Sequence, residues 1–175
     1  MKPALDDDDT VACVLEIREA RASDLDAVVA LMAQLGGGAP LAPGQARAIF
    51  DRYADYPDYR LYVALRDGRV AGCFSMLVMD NLAHGGAKSA IVEDVVVDAA
   101  LRGQGIGTRM MDFARGRGRE QGCYKLALSS GMPREAAHRF YESLGAAVLP
   151  DWRIARVVGP ALDTLARRAD AAGGR

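Results

Sequence analysis

Residues 91–107 read IVEDVVVDAALRGQGIG, and this stretch is the most informative part of the chain for its architecture. An apolar strand with three consecutive valines leads into a turn that holds Gly103, Gly105 and Gly107, and a helix is expected to start there. A helix N-terminus carries unpaired N–H groups and a partial positive charge, and glycines let backbone approach a phosphate without a Cβ in the way. Arg102 and Arg109 add positive charge nearby. The stretch therefore predicts a phosphate-binding turn at a strand-to-helix junction.

Other phosphate loops fit this turn less well. A Rossmann fingerprint needs a glycine at position 108, which is Thr108, and the Gly-Lys-Ser/Thr ending of a P-loop is absent. Three glycines alone are equally consistent with a tight turn in which the glycines serve packing only. The context of the rest of the chain has to decide between these two interpretations.

Hydrophobic periodicity predicts an alternation of strands and helices in the order β-α-α-β-β-β-α-β-α-β. Ser23 is the expected N-cap of the first helix, and Asp67-Gly68 indicates a hairpin turn. The order is typical of a single α/β (α+β) domain, in which helices cover a mixed sheet. The expected strands are 11–20, 61–65, 70–79, 89–98, 124–129 and one or two within 146–158, and the expected helices are 23–36, 43–53, 104–121 and 133–144. Residues 11–158 would form the domain, with a disordered acidic segment at 1–10 and a tail at 159–175.

Composition excludes several classes of protein. The chain has 175 residues, of which 50% are hydrophobic, and a net charge of -1, so nothing favours a nucleic-acid or membrane partner. No apolar run approaches the length of a membrane span, and the acidic N-terminus is unlike a signal peptide. Three cysteines without CxxC spacing, at 13, 73 and 123, argue against a disulfide framework or a metal site. Buried reduced thiols and a cytoplasmic location are the expectation.

Three motifs in order carry a resemblance to a known family. Arg102-x-x-Gly105-x-Gly107, the strand 91–98 and the pair of blocks at 122–126 and 138–145 resemble the GCN5-related N-acetyltransferase (GNAT) superfamily. The likeness is greatest to its glucosamine-6-phosphate and aminoalkylphosphonate N-acetyltransferases. It implies a mostly antiparallel sheet and transfer of acetyl from acetyl-CoA to a primary amine of a small molecule. Arg134 stands where many members have asparagine, which puts one hydrogen bond to the cofactor in doubt, and Ala146 replaces the usual phenylalanine.

The resemblance also implies where the donor binds. The backbone of residues 95–97 would hydrogen-bond the pantetheine arm like an added strand, and an N–H near Val95 would polarise the thioester carbonyl. Ser129 and Ser130 are candidates for the same arm, or are simply turn residues. The full set expected to bind cofactor is Val95, Val96, Val97, Arg102, Gly103, Gln104, Gly105, Ile106, Gly107, Thr108, Ser129 and Ala137.

Glu93 and Asp94 are the candidate bases that take a proton from the amine, directly or through water. Neighbours in a strand face opposite sides, so at most one should reach the site, and the family favours Glu93. A carboxylate within such an apolar strand is expected to need a partner. Tyr141 is the candidate acid for the departing thiolate, because a phenol titrates near 10 and a thiol near 8.5. Tyr141 is alternatively one member of an apolar stripe with Ala137 and Leu144.

The remaining candidates are interpreted as structural. His84 is expected to be a solvated loop residue, with substrate contact as the alternative, and His138 is expected at the surface beside a Glu135–Arg139 pair. The run of Arg115, Arg117 and Arg119 is expected to be a solvated face. A homodimer is allowed by the resemblance. A protein acetyltransferase and a non-catalytic acyl-CoA-binding domain are the competing functions.

Overall fold

The computed structural model describes residues 14–36, 39–129, 134–144 and 152–155. Strands and helices alternate in the predicted order. They are β1 (Leu15–Glu19), α1 (Leu25–Gly36), α2 (Pro43–Arg52), β2 (Tyr59–Arg66), β3 (Arg69–Met79), β4 (Lys88–Val97), α3 (Ile106–Glu120), β5 (Cys123–Ser129), α4 (Glu135–Ser143) and β6 (Trp152–Ala155). Short 3-10 turns lie at Ala22–Asp24, Tyr53–Asp55, His84–Gly86 and Ala99–Leu101.

The described strands form one sheet in sequence order, β1-β2-β3-β4-β5-β6. Strands β1 to β4 pair antiparallel with one another, whereas β5 runs parallel to β4 and β6 runs parallel to β5. The predicted mixed sheet is confirmed. The Asp67-Gly68 turn joins β2 to β3 with both residues at positive φ, 49° and 75°, which is the geometry of a two-residue hairpin turn.

The sheet has a separate apolar core on each face. On one face, α3 and α4 cover Tyr62, Phe74 and Val92, and the ring of Phe113 packs edge-on to Tyr62 with their centroids 5.2 Å apart. On the other face, α1 and α2 cover a second cluster that includes Val63, Cys73 and Val96. Because both faces are covered, the central strands are buried on both sides, as the continuous apolar run of β4 indicates.

The start of the first helical segment differs from the prediction. Ser23 lies within the 3-10 turn Ala22–Asp24, so it is not the N-cap of α1. The backbone N–H of Arg21 donates instead to Asp24 Oδ2 at 2.7 Å. The same carboxylate accepts two hydrogen bonds from Arg18 of β1, at 2.7 and 3.1 Å. Asp24 therefore makes the local capping contact in place of Ser23, and the ion pair with Arg18 of β1 holds its carboxylate in position.

Several predictions fall outside the described residues. These are the acidic segment at 1–10, the tail at 159–175 and Cys13, Ser130, Pro133, Gly145 and Ala146. The domain limits therefore stay a prediction. Within the part of the chain that the structure describes, no helix has both the length and the apolar character needed to cross a membrane.

Candidate active site

The glycine turn connects β4 to α3 with two residues in the left-handed region. Gly103 has φ of 76° and Gly105, the N-cap of α3, has φ of 79°. Side chains with a Cβ rarely adopt this conformation, so both positions need glycine on conformational grounds alone. Arg102 folds back, and its Nε donates to the carbonyl oxygen of Val97 at 3.1 Å. The turn therefore holds the N-terminus of α3 beside the end of β4.

Strand β4 contains a bulge at Asp94. Ser75 of β3 pairs with Glu93 and Cys73 pairs with Val96, so two residues of β4 oppose one of β3. Asp94 has φ of 53°, which is uncommon outside glycine and better tolerated by aspartate than by most residues. Bulges of this kind bend a strand and are over-represented beside active sites.

Beyond the bulge, β4 has an open edge. Pairing between β4 and β5 runs only from Lys88 to Val92, and β5 ends at Ser129. Among the described residues, no strand pairs with the β5-side edge of residues 93–97. Apart from the Val97 carbonyl, which accepts from Arg102, its backbone groups are available to an extended ligand, which is the arrangement expected for a pantetheine arm that adds to the sheet.

A cleft of about 830 Å³ lies against this open edge. The volume is in the range of sites that bind small molecules and cofactors. Most residues predicted to bind cofactor line it, namely Val95, Val96, Val97, Arg102, Gly103, Gly105, Ile106, Gly107, Thr108 and Ala137, and the candidate acid Tyr141 lines it as well.

Two predicted residues, Gln104 and Glu93, do not line the cleft, and for Ser129 the structure describes only the backbone. Gln104 is exposed, and its side-chain oxygen accepts a hydrogen bond from Arg66 of β2. Ser129 is the last residue of β5, and its side chain lies outside the described set. Glu93 precedes the bulge, so it is separated from the cleft by Asp94.

The structure adds cleft residues that the sequence did not reveal. Gln34 and Leu35, at the end of α1, form part of the wall, and the Ala99 N–H donates to Gln34 Oε1 at 2.9 Å. Phe140 of α4 closes another side. No local motif marks α1 as a part of a site that lies 65 residues further along the chain. Phe140 could have been predicted from the sequence, because it is adjacent to the candidate acid Tyr141.

Tyr141 is buried at the base of the cleft. Burial raises the pKa of its phenol above the ordinary value of 10, and the positive charge of Arg134 partly opposes this shift. Arg134 also lines the cleft. The phenol is therefore protonated at neutral pH and can donate a proton into the cleft, beside a cation that favours negative charge there.

The expectations for the two acidic residues of β4 need correction. Both Glu93 and Asp94 are exposed, so neither is a buried carboxylate that needs a partner. Facial alternation also fails at the bulge. Glu93 pairs with Ser75 on the α1/α2 side, and the charge of Asp94 contributes to the raised pKa values of Tyr53 and Cys73, which lie on that same side. Both carboxylates are thus near one face of the sheet.

Several structural interpretations are also corrected. His138 is buried, with 6% of its surface exposed, because α4 packs it inward. Arg115 and Arg117 are half-buried: Arg115 donates to the carbonyl oxygen of Leu144 at 2.7 Å, and Arg117 pairs with Glu120 at the same distance. Only Arg119 of that run is exposed as expected.

The other histidine lies away from the cleft. His84 is exposed, and its ring stacks on Tyr124 with their centroids 4.0 Å apart. Tyr124 is at the start of β5, and the cleft is at the other end of β4, so the solvated interpretation fits better than substrate contact. Among the described residues, no group of three or more His, Cys, Asp or Glu side chains is placed to hold a metal ion.

Comparison with known proteins gives the family. Residues 30–146 match the model of the acetyltransferase (GNAT) family. The chain is 32% identical to a glucosamine 6-phosphate N-acetyltransferase of Trypanosoma brucei brucei, over 75% of this chain and 88% of that protein. It is also 32% identical to an aminoalkylphosphonate N-acetyltransferase of Salmonella typhimurium, over 73% of this chain and 82% of that one.

A solved structure agrees with these matches. A crystal structure of a Trypanosoma brucei acetyltransferase has a TM-score of 0.68 and 30% identity, and covers 83% of this chain and 100% of that one. The chain therefore belongs to the GNAT acetyltransferase family. It is an N-acetyltransferase, as the relatives are named.

Proposed function

We propose that this N-acetyltransferase takes its acetyl group from acetyl-CoA and transfers it to a primary amine of a small molecule. One observation carries the proposal. A single cleft joins the open edge of β4, the N-terminus of α3 and the phenol of Tyr141. These are the parts needed to bind an extended thioester, anchor a pyrophosphate and protonate a leaving sulfur.

The residues present fit coenzyme A. Unpaired N–H groups at the start of α3, with Arg102 exposed beside them, suit the pyrophosphate. The backbone of residues 95–97 suits the amides of the pantetheine arm, since the two can pair like neighbouring strands. Coenzyme A would supply the activated acetyl group as a thioester.

Glu93 is the proposed base and Tyr141 the proposed acid. The amine nitrogen forms a bond to the acetyl carbon, and the carbon–sulfur bond breaks. The proton of the amine passes to Glu93, directly or through water, and the phenol of Tyr141 supplies a proton to the departing thiolate. Asp94 is the alternative base, because the bulge places its carboxylate near the same face as Glu93.

Thiol release from acetyl-CoA, measured with and without amines, tests the proposal. The amines would include glucosamine 6-phosphate, 2-aminoethylphosphonate and simple alkylamines. We expect release only in the presence of an amine, and a loss of turnover in Tyr141→Phe with the fold retained. Absence of release with every amine, for wild type and variant alike, would contradict the proposal.

A further inference from the structure

A second cavity lies on the opposite side of the sheet from α3 and α4. It encloses about 320 Å³ between α1, α2 and β2. We name it the helical chamber. Its walls include Met32 and Ala33 of α1, Ala46 and Phe50 of α2, and Tyr53 and Leu61. All its lining residues are uncharged, and the phenol of Tyr53 is the only polar side-chain group among them.

The helical chamber lies on the same side of the sheet as the proposed base. Leu61 pairs with Ser75 across β2 and β3, and Ser75 pairs with Glu93 across β3 and β4. The three residues therefore form one row across the sheet. Adjacent strands are about 4.8 Å apart, so the chamber floor at Leu61 is about 10 Å from Glu93.

Tyr53 lies between the two places, because it lines the chamber and is close enough to Asp94 for that carboxylate to affect its pKa. Burial, followed by the neighbouring Tyr59, raises the pKa of Tyr53 to about 12, and the hydroxyl of Ser75 and the charge of Asp94 also act on it. Ser75 Oγ is fully buried and has no hydrogen-bond partner of normal geometry among the described residues.

Two arginines near the helical chamber are already engaged by neighbouring groups. The guanidinium of Arg60 is held by the carbonyl oxygens of Tyr59 and Pro57, at 2.9 and 3.0 Å. Arg47 pairs with Asp51 at 2.7 Å on the outer side of α2. A phosphate or phosphonate placed in the chamber would therefore meet apolar side chains, and its desolvation would be costly.

We infer that the acceptor is a primary amine with an apolar body, aliphatic or aromatic. Its nitrogen lies at Glu93, and its apolar end occupies the helical chamber. This inference rests on the proposed function and names the substrate class of the same site. It differs from the acceptors named for the relatives, which carry a phosphate or a phosphonate.

A series of n-alkylamines from ethylamine to octylamine tests the inference with acetyl-CoA as donor. Their nitrogens have the same basicity, so the fraction of free amine does not vary along the series. Each added methylene that enters the chamber should raise kcat/KM about fourfold, from the transfer free energy of a buried methylene. The rise should stop once the chain spans the roughly 10 Å to the chamber floor.

A matched pair of variants locates the effect. Ala33→Phe fills the helical chamber from α1, whereas Ala27→Phe adds the same ring at an exposed position of the same helix. We expect Ala33→Phe to flatten the dependence of kcat/KM on chain length and Ala27→Phe to leave it unchanged. Thermal unfolding of both variants verifies that they are folded.

Two results would overturn the inference while leaving the proposed function intact. One is a kcat/KM for glucosamine 6-phosphate or 2-aminoethylphosphonate above that of every alkylamine. The other is a dependence on chain length that persists in a folded Ala33→Phe variant. Failure of all these amines to release thiol would instead overturn the proposed function, and the inference with it.

Discussion

Phe140 of α4 packs directly against Gly107 in the first turn of α3. A Cβ built on Gly107 would lie 3.1 Å from Cζ of Phe140, which is tighter than ordinary van der Waals contact. Both residues line the cleft. The contact therefore sets the distance between the glycine turn and the helix that carries Tyr141.

Gly107→Ala should weaken binding of acetyl-CoA. The added methyl group pushes the Phe140 ring away, and overpacking of this kind costs about 1–3 kcal/mol. We expect KM for acetyl-CoA to rise about 30-fold, at the middle of that range. Gly116→Ala is the control, because a Cβ at Gly116 meets nothing within 4 Å. That variant should be more stable by about 0.5–1 kcal/mol, with KM unchanged.

Glu93→Gln and Asp94→Asn should separate the two candidate bases. If Glu93 takes the proton, Glu93→Gln lowers kcat/KM at neutral pH by about 100-fold or more, and Asp94→Asn has a much smaller effect. The loss of activity in Glu93→Gln should become smaller as the pH approaches the pKa of the amine substrate, about 10. At that pH much of the amine is already unprotonated, so it needs no base. A pH profile of both variants measures this, and the reverse order of effects would assign the role to Asp94.

Arg134 should control the pH dependence of Tyr141. Its charge lowers a phenol pKa that burial raises, so its removal leaves the effect of burial unopposed. In Arg134→Gln, the alkaline limb of the pH–rate profile should shift to higher pH, whereas Arg134→Lys should keep it near the wild-type position. Tyr141→Phe should lose that limb. An alkaline limb that remains in Tyr141→Phe would show that another group causes it.

Gly72→Ala should destabilise the protein more than any of the other glycine changes proposed here. A Cβ on Gly72 would lie 2.9 Å from the carbonyl oxygen of Val96 and 2.8 Å from Sδ of Met110. Met110 is flexible, but the Val96 backbone is held in the sheet and cannot give way cheaply. We expect a loss of about 1–3 kcal/mol in the free energy of unfolding, measured with urea. A variant as stable as wild type would mean that β4 shifts freely against β3.

The Arg18–Asp24 pair predicts a loss of stability in acid. The hydrogen bond from Arg18 is the largest of the contacts that lower the pKa of Asp24 below its ordinary value of 3.8. A carboxyl with a lowered pKa stabilises the fold above its unfolded pKa and loses this contribution as the pH falls through the folded pKa. Asp24→Asn should therefore cost about 1–3 kcal/mol at neutral pH, and the difference from wild type should narrow below 3.8. A difference that does not vary with pH would exclude the ionised pair as its cause.

The sequence predicted the elements because their signals are local. The Asp67-Gly68 turn, the glycines before α3 and the valine run of β4 each depend on neighbouring residues only. The cleft residues on β4 and α3 followed from the same motif. Gln34 could not be found this way, since its role depends on contact with Ala99, far along the chain. At the first helical segment Asp24, rather than Ser23, accepts the backbone N–H of Arg21, and the contact that holds Asp24 comes from Arg18 of β1, outside the local signal.

The bulge in β4 is the feature of the site that could not be predicted from hydrophobic periodicity. A run of apolar residues gives no sign that one of its members departs from the extended conformation. The prediction that Glu93 and Asp94 face opposite sides followed from regular alternation, and Asp94 with φ of 53° is where the alternation ends. Aspartate tolerates that conformation, but its presence alone does not require it.

Asp94 is the additional residue of the β4 bulge, and it has no pairing partner of its own on β3. Before it, Ala90 and Val92 face α3, and after it Val95 and Val97 face the same helix. A strand without Asp94 would leave all four side chains where they are and would pair Phe74 with Val95, between the existing Ser75–Glu93 and Cys73–Val96 pairs. Neither core requires this residue. The additional residue strains the backbone and bends the strand, and neither core accounts for it, which agrees with the proposed role of this part of β4 in the cleft.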